Sequence, residues 1–337
     1  MPGFPSGRFS MTDNVAKTCP WCNAPREGGD SCPKCGANYL KAELIRKQGR
    51  AVAVAPAAVA AAAPVTVAKV PDFEIREPPA VDDAGLELKF CIAAIPAALL
   101  LGILFHLFPL GMFLQRNFFG MPVHELGHAT TAWLCGHWAI PIMWKTLWGE
   151  ERGFVTPLLL CGGLAYLIYL GLKKEEKILV VLGVAGILVQ AIGTLYLKQK
   201  TAIGMIVFGG DGMGLVIATG LMASFFFGKQ TQLYKGSLRW GFVIIGAAAF
   251  VDMYSTWLSA LGDYGKIPFG EQEGGLLSDA TRLVDEHGWE ARAMVRRYVG
   301  LGAACLVALT GVYAYGVWQA WKALETGKPL DTWAGKK

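Results

Sequence analysis

The chemistry in this chain is concentrated in Met121-Pro122-Val123-His124-Glu125-Leu126-Gly127-His128-Ala129. Residues four apart share one face of a helix, so the imidazoles of His124 and His128 can close on a single Zn²⁺. Glu125 follows the first histidine and is placed to take a proton from water activated by that metal. The alternative is a chance pairing of two histidines and a glutamate on a packed or solvated helix. The flanks argue against it: Asn117-Phe118-Phe119-Gly120 and Thr130-Thr131-Ala132-Trp133-Leu134-Cys135 resemble membrane sequence. Ionisable groups at bilayer depth are costly unless they pair or work.

A second cluster stands near the N-terminus. Cys19-Pro20-Trp21-Cys22 and Cys32-Pro33-Lys34-Cys35 are two C-x-x-C turns whose four thiolates suit a tetrahedral, structural Zn²⁺ with no open position for catalysis. Disulfides or a redox dithiol are the alternative, which a cytosolic address disfavours. No signal peptide opens the chain, so this segment is expected in the cytosol. The stretch resembles a short zinc ribbon, with Asn23 where such ribbons usually carry glycine; that resemblance implies a small docking module. The other cysteines, Cys91, Cys135, Cys161 and Cys305, sit singly in apolar segments and read as structural thiols.

The elements that must carry these groups follow from composition. Only 17% of the 337 residues are charged and 53% are hydrophobic, which excludes an ordinary soluble domain and indicates an all-α polytopic membrane protein. A net charge of +5 without a basic face gives no reason to expect a nucleic-acid partner. Apolar runs near the length of a bilayer span fall at about 90–113, 118–135, 154–172, 178–197, 203–228, 238–261 and 299–321, predicting six to seven transmembrane helices. The expected organisation is a disordered 1–18, a zinc ribbon at 19–39, and a flexible Ala/Pro-rich tether at 40–85. A membrane-embedded metal domain over 86–261, a hydrophilic insert at 262–298, a last span at 299–321 and a polar tail at 322–337 follow. Within the insert, Ser278 reads as the N-cap of a short surface helix and His287 as a solvated loop residue.

Two histidines leave a catalytic zinc one protein ligand short. Asp211, in Phe208-Gly209-Gly210-Asp211-Gly212-Met213-Gly214, is the first candidate: an acid in an apolar run, with glycines that permit close backbone approach. A helix N-cap is its other reading. Glu150 and Glu151, in a polar loop, are second choices. Asp252 lines a water path or bonds a neighbouring helix, Gln190 and Thr194 tie helices together, and His106 and His137 read as a core and a loop histidine.

His124-Glu125-Leu126-Gly127-His128-Ala129 in a membrane helix, with Asp211-Gly212 downstream, resembles the site-2 protease family of intramembrane zinc metalloproteases over about residues 90–228. The resemblance implies His124, His128 and Asp211 as ligands of a catalytic Zn²⁺ and Glu125 as the acid/base. It also implies a membrane-protein substrate cleaved in or near its transmembrane segment. Two features depart from the family. Thr201–Phe208 lacks the Asn and prolines usual before the Asp-Gly, and two apolar runs rather than one separate the HELGH helix from Asp211, so one run fails to span, or 201–210 re-enters the membrane beside the site, or the two halves of the site meet at mid-membrane with their helices in another relative direction. The alternatives are a non-proteolytic membrane scaffold that recruits a partner through its zinc ribbon, and a metal transporter, which would need more ligands along a path.

Overall fold

The computed structural model describes residues 84–227, 237–272 and 276–326, position 233, and positions 18, 19, 24, 25, 29, 31–35 and 39 of the N-terminal segment. The expectations for residues 1–17, for nearly all of the 40–85 tether, for the tail after Thr326 and for Cys22 fall outside the described residues. The chain divides into two units, Met1–Arg76 and Glu77–Lys337. In the first, Cys19, Cys32 and Tyr39 are buried together, and Thr18 pairs with Pro25 in an isolated antiparallel bridge.

The second unit is almost wholly helical: α1 (Ala84–His106), α2 (Pro109–Gln115), α3 (Met121–Leu134), α4 (Val155–Lys173), α5 (Lys177–Ala191), α6 (Gln199–Ala223), α7 (Leu238–Gly262), α8 (Asp279–Asp285) and α9 (Ala291–Thr326). Among the described residues, six stretches are long and apolar enough to cross a bilayer: α1, α4, α5 continued to Tyr196, α6 continued to Phe226, α7 and α9. The protein is an all-α, multi-pass membrane protein.

The first two apolar runs do not form two simple spans. Pro109 has no N–H to continue α1, so that helix stops at His106 and the chain restarts as α2. A π-helical turn at Arg116–Gly120 then leads into α3, whose 14 residues carry the HELGH motif. Together α2, the π-helical turn and α3 run without a break from Pro109 to Leu134, so the motif lies in the C-terminal part of a longer helical segment. The two runs before Asp211 are both complete helices, α4 and α5, which pack on each other through a tight turn at Lys174–Glu176. Thr201–Gly210 is regular helix and not a re-entrant loop, and Asp211 lies in the middle of α6, so it is not an N-cap. The last helix starts at Ala291, inside the stretch read as insert, and runs past 321 to Thr326.

Two short hairpins complete the unit. The first pairs β1 (Ala139–Ile142) with β2 (Lys145–Trp148) antiparallel, with Pro141 opposite Thr146. The second pairs β3 (Glu271–Gln272) with β4 (Leu276–Leu277), directly before α8. The core lies where α6 packs on α7 and α7 on α1, with Leu215, Met222, Val243, Phe250, Met253 and Ile95 buried. At one end of α1 and α7, Arg239 donates two hydrogen bonds to Glu87, at 2.6 and 3.0 Å, so neither buried charge stands alone. Gln190 donates to Pro157 O and Thr194 to Leu134 O, tying helices together as their sequence setting suggests.

The contact that places the HELGH helix is α3 on α6, and it is backbone against backbone. A Cβ on Gly127 would run into the carbonyl oxygens of Gly209 and Gly210 and stand 2.8 Å from Gly214 N. Gly127→Ala is therefore expected to push the helices apart, lowering stability by about 1–3 kcal/mol and lowering metal occupancy with it. Gly220, on α6 with open space around it, is the control: Ala there should leave the melt unchanged or raise it, since Ala favours helix by up to ~1 kcal/mol. Thermal denaturation of both variants in detergent checks this; equal melting points would show that α3 and α6 do not depend on this approach.

Candidate metal centre

His124 and His128 lie one turn apart on the face of α3 that meets α6, and both are buried. Their rings pack on bare backbone: a Cβ on Gly210 would stand 2.5 Å from His124 Cε1 and 2.6 Å from His128 Nε2. Each ring is held from behind through Nδ1. His128 Nδ1–H donates to Ile206 O at 2.7 Å; a carbonyl can only accept, so the Nε2 lone pair is left free. His124 Nδ1 meets Asp211 Oδ1 at 2.8 Å, and the other carboxylate oxygen accepts from Trp257 Nε1–H at 2.7 Å.

The two free nitrogens converge. His124 Nε2 and His128 Nε2 are 3.0 Å apart. Asp279 Oδ2 lies 3.1 Å from the first and 3.0 Å from the second. Tetrahedral zinc with bonds of ~2.0–2.1 Å holds its ligand atoms roughly 3.3 Å apart. Three donors of the right types at 3.0–3.1 Å thus make a group that fits a divalent ion with little adjustment.

The carboxylate that completes this group is Asp279, not Asp211. Asp211 faces Nδ1 of His124, the side turned away from the convergence point, and there it orients the ring. Arg116 lies 4.0 Å from the same Asp211 oxygen and donates to Asp252 Oδ2 at 3.0 Å, so the buried acids on α6 and α7 share one guanidinium. Asp252 thus bonds a neighbouring element. His106 reaches Ser255 at 2.7 Å, and His137 Nδ1–H donates to Gly149 O at 2.8 Å, closing the base of the β1–β2 hairpin.

Asp279 comes from the hydrophilic insert. Ser278 caps α8 as its sequence suggests, its hydroxyl accepting from Thr281 N–H at 3.3 Å, but the helix is not a free surface element. Ala280 and Leu283 are buried against α6, α7 and α9 in a cluster with Val207, Trp257 and Tyr298. That burial swings Asp279 over the histidines. Burial raises the proton affinity of its carboxyl, but the facing imidazoles of His128 and His124, when protonated, outweigh this and hold it below the ordinary carboxylate range.

Glu125 is buried, and Thr146 of β2 meets its Oε2 at 2.7 Å. The histidines, Glu125 and Asp279 border a cavity of about 1040 Å³. The β2 strand forms one wall and the insert, with Leu277, Arg282 and His287, another, while Gln199 and Lys200 at the start of α6 line it as well. His287 is therefore a wall residue rather than a solvated loop histidine, and burial holds its imidazole below its ordinary pKa. Glu150 lines the same cavity but is not part of the converging group.

In the N-terminal unit, one sulfur atom each of Cys19, Cys32 and Cys35 lie within 4.8 Å of one another, with Cys19 and Cys35 Sγ at 3.8 Å. Tetrahedral zinc thiolates with bonds of ~2.3 Å place sulfurs roughly 3.8 Å apart, so these three also fit a metal. No protein-family model, curated protein or solved structure matches the chain.

Metal analysis by mass spectrometry on detergent-purified protein separates the roles of the two aspartates. The full chain should carry about two zinc ions, falling to about one in His124→Ala or Asp279→Ala. Asp211→Asn should still fill at saturating zinc but bind it about 10- to 100-fold more weakly, the usual cost of losing a group that orients a ligand. Loss of the ion in Asp211→Asn with retention in Asp279→Ala would reverse the assignment.

Proposed function

We propose that this protein is a membrane-embedded zinc metalloprotease that hydrolyses a peptide bond in or near the membrane-spanning segment of another protein, a divergent relative of the site-2 proteases. The observation that carries this reading is the convergence of His124 Nε2, His128 Nε2 and Asp279 Oδ2 at 3.0–3.1 Å, with Glu125 beside them on the same cavity. Its support from sequence is the HELGHA motif.

A zinc ion on these three ligands would supply Lewis acidity toward water and toward the scissile carbonyl. The chain's own residues do the rest. Asp211 and Ile206 O hold the two imidazoles with their lone pairs forward. Glu125 takes the proton of the attacking water and returns it to the leaving amine. The cavity that the histidines border reaches Gln199 and Lys200 at the start of α6, about 10 Å along the helix from Ile206, and supplies the space water would need. Lys145–Trp148 of β2 border the cavity, and β2 has no second strand partner among the described residues. An extended substrate segment fits along that edge better than an intact helix, which would first have to unwind there. The N-terminal thiolate cluster is a second, structural zinc site and reads as a docking module for a protein partner, on the cytosolic side. A pure scaffold would have no use for a buried glutamate held beside a metal group.

Turnover of fluorescein-labelled casein, an unfolded polypeptide, by the purified protein in proteoliposomes is the test. Glu125→Gln should keep its metal yet lose at least about 100-fold in kcat, within the range general-base catalysis supplies. Stripping wild-type protein with 1,10-phenanthroline should abolish cleavage and added zinc should restore it. Full activity of Glu125→Gln would refute the mechanism. No cleavage by zinc-loaded wild type, of casein or of transmembrane-segment fusions, would favour the scaffold.

A further inference from the structure

We infer that Thr146 is a positioning residue for Glu125, a role that rests on the hydrolytic reading above but follows from geometry of its own. Thr146 is the buried member of the exposed-to-buried alternation along β2, flanked by exposed Lys145 and Leu147, so its side chain turns in toward α3. Its hydroxyl lies 2.7 Å from Glu125 Oε2 and 2.8 Å from Glu125 O. A hydroxyl has one hydrogen to give. The backbone oxygen, inside a regular helix, already accepts the N–H four residues on, so the carboxylate is the acceptor that needs it. Among the described residues no other side chain hydrogen-bonds that carboxylate.

The frame around Thr146 is stiff. Trp133 Nε1–H donates to Ala139 O at 3.0 Å, Gly149 N–H to Trp138 O at 3.1 Å, and His137 Nδ1–H to Gly149 O at 2.8 Å. The first bond fastens the start of β1 to α3, the helix that carries the histidines and Glu125, and the other two tie the end of β2 to His137 and Trp138 just past that helix. A hydroxyl oxygen accepts as readily as it donates, so the same contact can hold Glu125 before and after it has taken a proton. A glutamate carries three side-chain torsions, and a displacement of about 1 Å in a reacting group can cost on the order of 100-fold in rate. The hairpin therefore does two things: Lys145, Leu147 and Trp148 line the cavity, and Thr146 aims the base into it.

The test uses full-length protein and two substitutions. Thr146→Val keeps the shape and removes the hydroxyl; Thr146→Ser keeps the hydroxyl. Casein turnover should fall about 10- to 100-fold in kcat for Thr146→Val, with KM and zinc content within about twofold of wild type, and Thr146→Ser should stay within about threefold. A second readout does not need turnover. In zinc-free protein, labelling of Glu125 by dicyclohexylcarbodiimide, followed by mass spectrometry, should be several-fold faster in Thr146→Val than in wild type or Thr146→Ser. Equal kcat and equal labelling in wild type and Thr146→Val would overturn the inference and leave the protease reading standing. A fall in kcat that Thr146→Ser does not relieve, with unchanged labelling, would reduce Thr146 to packing and equally overturn it. If wild type cleaves nothing, the protease reading fails and the labelling alone decides whether Thr146 holds Glu125.

Discussion

A polar group in the middle of a membrane bundle finds no water to bond, so each one must find its partner in the protein. That constraint organises the centre of this structure. His124 is held at Nδ1 by Asp211, while its Nε2 faces Asp279 Oδ2 across the position open to a metal. Asp211 in turn takes the Trp257 indole, and Arg116 bridges toward Asp252. The same logic explains why α3 and α6 meet through glycines: a side chain at Gly210 would occupy the space the two imidazoles fill. Packing and electrostatics here are one arrangement, and the converging donor set is what it leaves open for a metal.

The division of labour between the two aspartates has a chemical rationale. A carboxylate behind a metal-ligating imidazole fixes the ring's tautomer and strengthens it as a ligand. A carboxylate in front supplies negative charge to the ion itself. Placing the first on a buried transmembrane helix and the second on a polar insert puts the rigid group in the bundle and the other at the cavity wall. The insert becomes part of the site, packed by Leu283, Trp257 and Tyr298 instead of lying on the surface.

Much of this was legible in the sequence. The i, i+4 spacing of His124 and His128 needs only helix geometry, and the apolar runs needed only length. The glycines around Asp211 announced a close backbone approach, which is what Gly209 and Gly210 provide. What they could not announce was which ring nitrogen Asp211 would face, because that depends on the angle at which α6 crosses α3. Asp279 was hidden for a similar reason. Its local setting, a Ser-capped polar helix, is the same whether the helix faces water or folds back over the bundle, and only the apolar pair Ala280 and Leu283 hints at the second. The β1–β2 hairpin was missed because four-residue strands between two membrane runs read as a connecting loop, and its role is set by long-range contacts such as Thr146 with Glu125.

The most direct test of the central claim is the position of the ion. Diffraction data from zinc-loaded, full-length crystals, collected on both sides of the zinc absorption edge, would locate it without assumption. The account predicts an anomalous peak about 2.0–2.1 Å from His124 Nε2, His128 Nε2 and a carboxylate oxygen of Asp279, with Asp211 still on His124 Nδ1. A peak bonded to Asp211 with Asp279 swung away, or no peak at these histidines, would contradict it.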